Sequence, residues 1–352
     1  MKEFSINVPA SSANIGPGFD VLGIGLSSFL RVSVVVNASQ AEGTDPNNCK
    51  ITYKGEGEAG VPLVSDENLI TRTALYVLRV NGIRSFPVGT HVHVDNPIPL
   101  GRGLGSSGAA VVAGVMLGNE IGALGLSKKR MLDYCLMIER HPDNITAAMM
   151  GGFVGSFLRE LSAADMERVE IPLAEVLPEP AGGKDTGLVP PEPPLNISHY
   201  IKYDWNNAVK AIAVIPDFEV STADSRDVLP GAYTRQDAIY NLQRLSVLTA
   251  ALSRDPPDPE LVYPAMQDKL HQNYRKILIP GLTEILASVT PRTHPGLLGI
   301  CLSGAGPTIL ALATDNFEEI AQEIVGRFTK NKIKARWQLL EVAHDGATVE
   351  HK

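Results

Sequence analysis

The chain has 352 residues, of which 44% are apolar and 20% are charged, and its net charge is −8. A chain of this length and composition can bury a large core and is expected to form two domains. The acidic balance argues against broad binding to a nucleic acid backbone. No apolar run reaches the roughly 18 residues that a membrane span needs.

Two features of the sequence predict a cytoplasmic protein. The N-terminus carries no long apolar stretch followed by a small-residue cleavage site. The three cysteines, Cys49, Cys135 and Cys301, are far apart and odd in number. This pattern favours neither a disulfide framework nor a zinc site. Reduced thiols in an intracellular protein are the simpler interpretation.

Strands and helices are predicted along most of the chain, from β-branched runs and from apolar pairs repeating every four residues. The predicted strands are 31–36, 90–95, 210–216, 308–313 and 334–343. The predicted helices follow Ser65 and Ser127 and occupy about 236–252 and 320–328. Mixed elements throughout the chain indicate an α+β or α/β fold.

A segment rich in proline and glycine at 178–194 interrupts this pattern. It cannot form a helix or a central strand, so it is predicted to be a surface insertion or a linker. The chain is accordingly divided into a first unit at 1–175, an insertion or linker at 176–200 and a second unit at 201–352. The order of elements in the second unit resembles the β-α-β-β-α-β ferredoxin-like pattern.

The most informative stretch is the glycine-rich segment 96–110, NPIPLGRGLGSSGAA. A strand ends there, two prolines stiffen its exit, three glycines follow, and a helix of small residues begins after Ser106 and Ser107. Glycines let a backbone approach a ligand closely, and the first turn of a helix offers unpaired N–H groups. Together they form an anion cradle suited to a triphosphate, which the two hydroxyls would also contact.

The same segment allows other interpretations. The run from Gly103 to Gly108 matches GxGxxG, but two prolines separate it from the strand and no acidic residue ends a second strand about twenty positions on. The Walker A pattern is absent. A glycine-rich turn that merely begins a helix is the simplest alternative, and the segment alone does not exclude it.

Three further motifs give the segment a context: PASSANIGPGFD at 9–20, RHPDN at 140–144 and LSGAGPT at 302–308. In this order the four motifs resemble the GHMP kinases over most of the chain. The resemblance implies an α+β, two-domain GHMP kinase fold. Its N-terminal domain would be similar to the second domain of ribosomal protein S5, and its C-terminal domain would be ferredoxin-like.

The resemblance also implies an ATP-dependent kinase for a small alcohol, with Mg²⁺. The first motif and the His-Pro-Asp-Asn run look most like the branch that phosphorylates the hydroxyl of L-homoserine, a step of threonine biosynthesis. A kinase for another small molecule, such as mevalonate, is the alternative. A catalytically silent nucleotide-binding protein and a dinucleotide-dependent oxidoreductase fit the motifs less well. A homodimer is expected from the family.

The resemblance places the phosphates of ATP on the glycine-rich segment, with the turn at 302–308 beside it. The residues implied to bind ATP are Pro97, Pro99, Gly101, Arg102, Gly103, Leu104, Gly105, Ser106, Ser107, Gly304 and Gly306. Mg²⁺ needs a hydroxyl and a carboxylate at most, because it keeps waters at its other positions. Ser106 or Ser107 can supply the hydroxyl, and Ser107 is the expected one. Glu139 is the expected carboxylate, although some relatives point instead to Asp133.

A zwitterionic substrate needs a cation for its carboxylate, acceptors for its ammonium group and a polar group near its hydroxyl. The residues implied to bind it are Asn14, Asp20, His141, Asn144, Thr222, Arg226 and Arg275. Arginine suits the carboxylate because its planar guanidinium group pairs with it bidentately.

Asn144, Ser107 and Glu139 are the residues implied in catalysis. Many relatives have an aspartate at the position of Asn144, where it serves as a general base. An asparagine cannot accept a proton at neutral pH. The sequence therefore predicts phosphoryl transfer without a dedicated base, by positioning, magnesium and electrostatics.

Overall fold

The computed structural model describes residues 1–40, 45–166 and 185–352, which form two β-sheets covered by helices. The strands are β1 (Lys2–Ala13), β2 (Leu22–Val36), β3 (Cys49–Gly55), β4 (Thr90–Asn96), β5 (Phe153–Leu158), β6 (Ser198–Tyr203), β7 (Lys210–Pro216), β8 (Leu297–Leu302), β9 (Ile309–Ala313), β10 (Ala335–Leu340) and β11 (Thr348–His351). The α+β fold class expected from the sequence is confirmed.

Helices fill the connections between these strands. They are α1 (Leu69–Val80), α2 (Ser106–Gly122), α3 (Lys128–Ile138), α4 (Pro142–Met150), α5 (Ala163–Met166), α6 (Thr222–Asp227), α7 (Arg235–Ala251), α8 (Pro259–Ala265), α9 (Gln272–Arg275), α10 (Leu282–Ser288) and α11 (Phe317–Lys330). Within the described residues, no helix has the length and apolar character needed to cross a membrane.

Among the described residues, the larger sheet has seven strands, and β2 pairs with β1, β4 and β5. The order is β11-β1-β2-β4-β3, while β5 pairs with the first residues of β2 and with β6. Val32 and Val34 of β2 are buried whereas Arg31 and Ser33 are exposed, so one face of the sheet turns toward the core. The predicted strand 31–36 is the C-terminal part of β2, which begins at Leu22.

Helices α1 and α2 pack closely together in the larger half of the molecule. A Cβ atom at Gly114 of α2 would lie 2.5 Å from the carbonyl oxygen of Ile70 in α1, so this approach requires glycine. This packing fixes the direction of α2, whose first residue lies ten positions after the end of β4. The N-terminus of α2 is thereby held at the edge of the larger sheet.

In the described part of the chain, the smaller sheet has four antiparallel strands in the order β10-β7-β9-β8. With the helices between them, the chain runs β7, helices, β8, β9, α11 and β10. This is the β-α-β-β-α-β order expected from the sequence. Its apolar core includes Ile212, Ile300, Ile309 and Phe328.

Three details differ from the expectations. The first predicted helix begins at Leu69 rather than after Ser65, because the Asn68 side chain accepts a hydrogen bond from the Ile70 amide and caps it. The last strand, β11, returns to the larger sheet beside β1, although it belongs to the unit predicted at 201–352. Strand β6 begins at Ser198, inside the predicted insertion, and residues 167–184 of the surrounding region lie outside the described residues. The domain boundaries themselves stay a prediction.

Candidate active site

A cavity of about 550 Å³ lies where the N-terminus of α2, the motif at 9–20 and the turn at 302–308 meet. Most residues implied by the sequence line it. They are Asn14, Asp20, Pro99, Gly101, Arg102, Gly103, Gly105, Ser106, Ser107, Glu139, His141, Asn144, Arg226, Arg275, Gly304 and Gly306. Residues up to 292 positions apart in the sequence are thus brought to one site, which has the volume of a typical small-molecule pocket.

The glycine-rich segment leads directly into the first turn of α2. Gly105 precedes the helix with a φ of +68°, and no described side chain caps the helix N-terminus. The hydroxyl of Ser106 lies 3.5 Å from the Asn96 side-chain nitrogen, whereas the hydroxyl of Ser107 donates to the Glu139 carboxylate at 3.2 Å. The first turn of α2 therefore presents to the cavity its unpaired backbone amides, the hydroxyls of Ser106 and Ser107, and the positive end of the helix dipole.

The turn at 302–308 packs against the glycine-rich segment. The Ser303 hydroxyl donates to the Gly103 carbonyl at 2.6 Å and lies 2.7 Å from the hydroxyl of Ser12. The Gly304 amide donates to the Ala13 carbonyl at 2.9 Å. These bonds join three motifs that are far apart in the sequence, and they hold the glycine-rich segment open along the cavity.

Two residues implied in ATP binding lie outside the cavity lining. The Leu104 side chain is buried in the core, and the Leu104 carbonyl oxygen accepts a hydrogen bond from the Ser11 amide at 3.1 Å. Pro97 borders a separate depression beside Arg31 and Asp95. Both residues shape the segment rather than face its ligand side.

Asp133 also lies outside the cavity lining. Its carboxylate accepts hydrogen bonds from the amides of Asn196 and Ile197, at 3.2 and 2.9 Å, and from Arg130 at 3.1 Å. These contacts anchor the chain just before β6. The structure therefore gives Asp133 a structural environment and places Glu139, not Asp133, beside Ser107.

On the opposite side of the cavity, Asp20 and Arg226 form an ion pair. An Arg226 side-chain nitrogen lies 3.1 Å from an Asp20 oxygen, and the other nitrogen is also within hydrogen-bonding distance. Asp20 has a φ of +55°, and its amide donates to the Asn14 side chain at 2.9 Å. The side chain of Thr222, at the start of α6, lies outside the described part of the structure.

Arg275 is buried next to this pair. Its guanidinium group donates to the carbonyls of Ser225 and Gly304, at 3.2 and 2.9 Å, and lies against the ring of His271. Burial, and then the positive charge of Arg226, lower the pKa of Arg275 to about 10. Arg275 thus stays positively charged at neutral pH while facing the cavity.

The RHPDN motif places its side chains at the start of α4. Asn144 accepts a hydrogen bond from the Ser11 hydroxyl at 3.1 Å, and His141 lies 3.5 Å from the Glu139 carboxylate. Burial lowers the pKa of His141, but the hydrogen bond and charge of Glu139 outweigh it, so the net direction is upward. Burial, and then the nearby charge of Asp20, raise the pKa of Asp143 to about 7.

Sequence reasoning missed several residues that line the cavity. One group is largely apolar: Tyr53, Val61, Pro62, Asn68, Leu69, Asn96, Leu100 and Ala110. The Asn96 amide donates to the Tyr53 hydroxyl at 2.9 Å. Asn96, Leu100 and Ala110 belong to the glycine-rich segment and could have been found by their position, but the others come from chain segments without a motif.

Comparisons with known proteins agree with this fold. Residues 68–152 match the family described as GHMP kinases N terminal domain, and residues 248–330 match GHMP kinases C terminal. These ranges contain α2, the RHPDN motif and the turn at 302–308. The chain belongs to the GHMP kinase family.

Its full-length relatives place it among the homoserine kinases of that family. Homoserine kinase of Saccharomyces cerevisiae is 71% identical, with all of both chains covered. Homoserine kinase of Schizosaccharomyces pombe is 53% identical, also with all of both chains covered. A crystal structure of homoserine kinase from Cytophaga hutchinsonii has a TM-score of 0.73 at 25% identity and covers 99% of this chain and 97% of that one.

Proposed function

We propose that the protein transfers the γ-phosphate of ATP to the hydroxyl of L-homoserine, giving O-phospho-L-homoserine in the cytoplasm as a step of threonine biosynthesis. The observation that carries the proposal is the cavity itself. It combines an anion-binding helix N-terminus with a charged region formed by Asp20, Arg226 and Arg275. The helix N-terminus suits the phosphates of a nucleoside triphosphate, and the charged region suits a small zwitterion.

Apolar groups in the cavity lining support an orientation for ATP. They include Val61, Leu69 and Ala110, and Ala110 lies about one turn of α2 after Ser106. A purine base suits such a surface, with its phosphates then running along Gly103 and Gly105 to the N-terminus of α2. The γ-phosphate would end near Ser107, facing the charged region.

Ser107 and Glu139 fit a magnesium ion by their chemistry. A hydroxyl and a carboxylate 3.2 Å apart are hard oxygen donors beside the expected phosphates. Mg²⁺ would neutralise charge on the phosphates. Among the described residues no cluster of three or more metal-binding side chains occurs, so most coordination positions would fall to phosphate oxygens and water.

The remaining residues would position the substrate. Arg275 is held by backbone carbonyls and supplies a fixed positive charge for the carboxylate. Asn144, oriented by Ser11, lies on the side of Ser107 and would direct the hydroxyl toward the phosphate. Because Asn144 cannot take a proton, the proposal has the hydroxyl proton pass to phosphate, with alignment and charge neutralisation lowering the barrier.

The test is ADP release by the purified protein with magnesium ATP and homoserine, mevalonate, serine or threonine at equal concentration. Turnover with homoserine well above the other three is expected. Turnover with mevalonate instead would refute the proposed substrate while leaving the kinase assignment. A Glu139→Gln variant should lose most of its kcat and need more Mg²⁺, whereas Asp133→Asn should lower the melting temperature without changing the Mg²⁺ requirement.

A homodimer, as expected from the family, stays a prediction. Sedimentation of the purified chain would test it directly.

A further inference from the structure

His271 is a buried titratable residue that does not line the cavity but contacts Arg275, which does. It stands just before α9, and its ring stacks on the Phe19 ring with the two ring centres 5.4 Å apart. Buried polar atoms need hydrogen-bond partners, and the two nitrogens of an imidazole ring differ in which of them carries the proton. The partners of His271 therefore show what its ring does.

The two ring nitrogens of His271 have partners of opposite kinds. Nε2 lies 2.9 Å from the Gly16 carbonyl oxygen and 3.6 Å from the Asp268 carboxylate. Both of these groups accept, so Nε2 carries the proton. Nδ1 lies 3.3 Å from Nη1 of Arg275, which can only donate, so Nδ1 is an unprotonated acceptor. The partners thus specify a neutral ring, and burial lowers the pKa of His271 by more than the charge of Asp268 raises it.

The contact with His271 completes the hydrogen bonding on one side of the Arg275 guanidinium group. Nε donates to the Ser225 carbonyl at 3.2 Å, and Nη1 donates to the Gly304 carbonyl at 2.9 Å. Nη1 carries a second hydrogen, which the His271 ring accepts. Within the described residues Nη2 makes no hydrogen bond. Nη2 is therefore the nitrogen that Arg275 has available for a ligand in the cavity.

His271 also connects Arg275 to the motif at 9–20. Its other ring nitrogen contacts the Gly16 carbonyl, and Gly16 is itself tightly placed. Gly16 has a φ of +54°, and a Cβ atom there would lie 2.8 Å from the Met266 carbonyl oxygen. Since the other two acceptors around Arg275 are backbone carbonyls, the imidazole is the acceptor that a substitution can remove.

We infer that His271 is a positioning residue for the substrate carboxylate. Its neutral ring holds Arg275 between the Gly16 carbonyl and the turn at 302–308, so that Nη2 faces the cavity in one orientation. A guanidinium group held in this way loses less conformational freedom when a carboxylate binds. The inference rests on the proposed function and deepens it, because it names a residue outside the cavity that sets where the carboxylate is bound.

Two variants separate the two contacts of the ring. The asparagine side chain ends near the position of Nδ1, so His271→Asn keeps an acceptor for Arg275 and loses the donor to Gly16. The glutamine side chain reaches the position of Nε2, so His271→Gln keeps the donor and loses the acceptor. Both remove the ring that stacks on Phe19, so each is the matched control of the other. The measurements are kcat, the homoserine KM and the ATP KM.

The expected result is a homoserine KM that depends on the acceptor. His271→Gln should raise it by about tenfold or more, because a buried N–H of Arg275 loses its partner, while kcat and the ATP KM change little. His271→Asn should stay within about threefold of the wild type. An equal rise in both variants, or a larger one in His271→Asn, would show that the ring acts through packing or through Gly16 and would overturn the inference. No rise in either variant would also overturn it.

The outcomes separate this inference from the proposed function. A wild type that does not phosphorylate homoserine would refute the function, whereas an active wild type with two equivalent variants would refute the positioning role alone. Melting temperatures identify variants that fail to fold. If neither variant folds, nitrogen NMR of the wild-type histidine rings tests the same point. A neutral ring with its proton on Nε2, whose Nδ1 signal moves when homoserine is added, is expected. The absence of any histidine with this form and response would overturn the inference.

Discussion

Asp143 is the residue whose environment differs most from that of an ordinary surface carboxylate. It is 1% exposed at the start of α4, its oxygen accepts from the Asn144 amide at 2.9 Å, and its pKa is raised to about 7. The charged groups that act on it or on which it acts are Asp20, His141 and Arg275. At neutral pH this carboxyl group is therefore partly protonated.

The raised pKa predicts a pH-dependent stability for Asp143→Asn. Between about pH 4 and pH 7 the unfolded chain loses the Asp143 proton while the folded protein keeps it, so wild-type stability falls as pH rises. Asparagine resembles the neutral acid and avoids this loss. The unfolding free energy of the variant should therefore rise relative to that of the wild type by up to about 1.4 kcal/mol per pH unit across this window. Above the window the difference between the two should stay constant.

Urea unfolding at several pH values measures this difference. The control is Asp237→Asn, because Asp237 is partly exposed and its pKa is lowered, first by the hydrogen bond from Thr234, so its difference from wild type should be flat between pH 5 and pH 7. A flat difference for Asp143→Asn would contradict the prediction. The same variant also addresses the absence of a general base: its kcat profile should keep the wild-type shape, and loss of the acid limb, where protonation of a base lowers the rate, would assign proton transfer to Asp143.

At the scale of elements, the short helix α6 connects the substrate side to the smaller sheet. It carries Arg226, and its Ser225 carbonyl accepts from Arg275 while the Ser225 hydroxyl donates to Ala305 at 3.3 Å. A helix of six residues is not stable by itself, so its end groups and contacts decide its position. Ser221 caps it by accepting from the Asp224 amide at 3.0 Å.

Ser221→Ala should therefore weaken substrate binding without touching the substrate. Loss of the cap should cost about 1 kcal/mol and loosen Arg226. The homoserine KM should rise by up to about fivefold, which corresponds to that energy. Thr234→Ala is the matched control, since Thr234 caps α7 in the same way and α7 does not line the cavity. Thr234→Ala should lower the melting temperature about as much as Ser221→Ala does and should leave the homoserine KM unchanged. Equal homoserine KM values in the two variants would exclude a role for α6 in substrate binding.

For the whole molecule, the decisive contact is the one between the glycine-rich segment and the turn at 302–308. Gly103 has a φ of +80°, and a Cβ atom there would lie 2.2 Å from the Ser303 carbonyl oxygen. The turn connects β8 and β9 of the smaller sheet, so this contact joins the two halves of the molecule beside the cavity.

Gly103→Ala is expected to move the two loops apart. Positive φ alone costs alanine about 1 to 2 kcal/mol. Gly82→Ala is the matched control, because Gly82 has a φ of +77° and nothing lies within 4 Å of its Cβ position. Gly103→Ala should be destabilised beyond the control, by roughly 3 kcal/mol or more in total, and should raise the KM for ATP. Equal unfolding energies and equal KM values in the two variants would show that the loops adjust freely.

Much of the fold could be predicted because its signals are local. The strand at 210–216 agrees with β7, and the cap at Ser127 begins α3 as expected, with its hydroxyl accepting from Arg130. The long β2 was underestimated because its first half, around Gly23 and Gly25, has Ile24 as its one β-branched residue, whereas runs of such residues mark a strand. Those glycines are required by neighbours in space, such as the Asp143 carbonyl oxygen near Gly23.

The sequence by itself determined the family, the glycine-rich segment and most residues of the cavity, because these depend on motifs whose residues are close together. Only the tertiary structure decided which residues are paired. Asp20 and Arg226 are 206 positions apart, and Gly103 and Ser303 are 200 apart. It also distinguished Glu139 from Asp133, which lie six positions apart. The Glu139 carboxylate accepts a hydrogen bond from Ser107, whereas the Asp133 carboxylate accepts one from the Ile197 amide just before β6. Contacts at such separations follow from how the sheets and helices pack, and no local pattern records them.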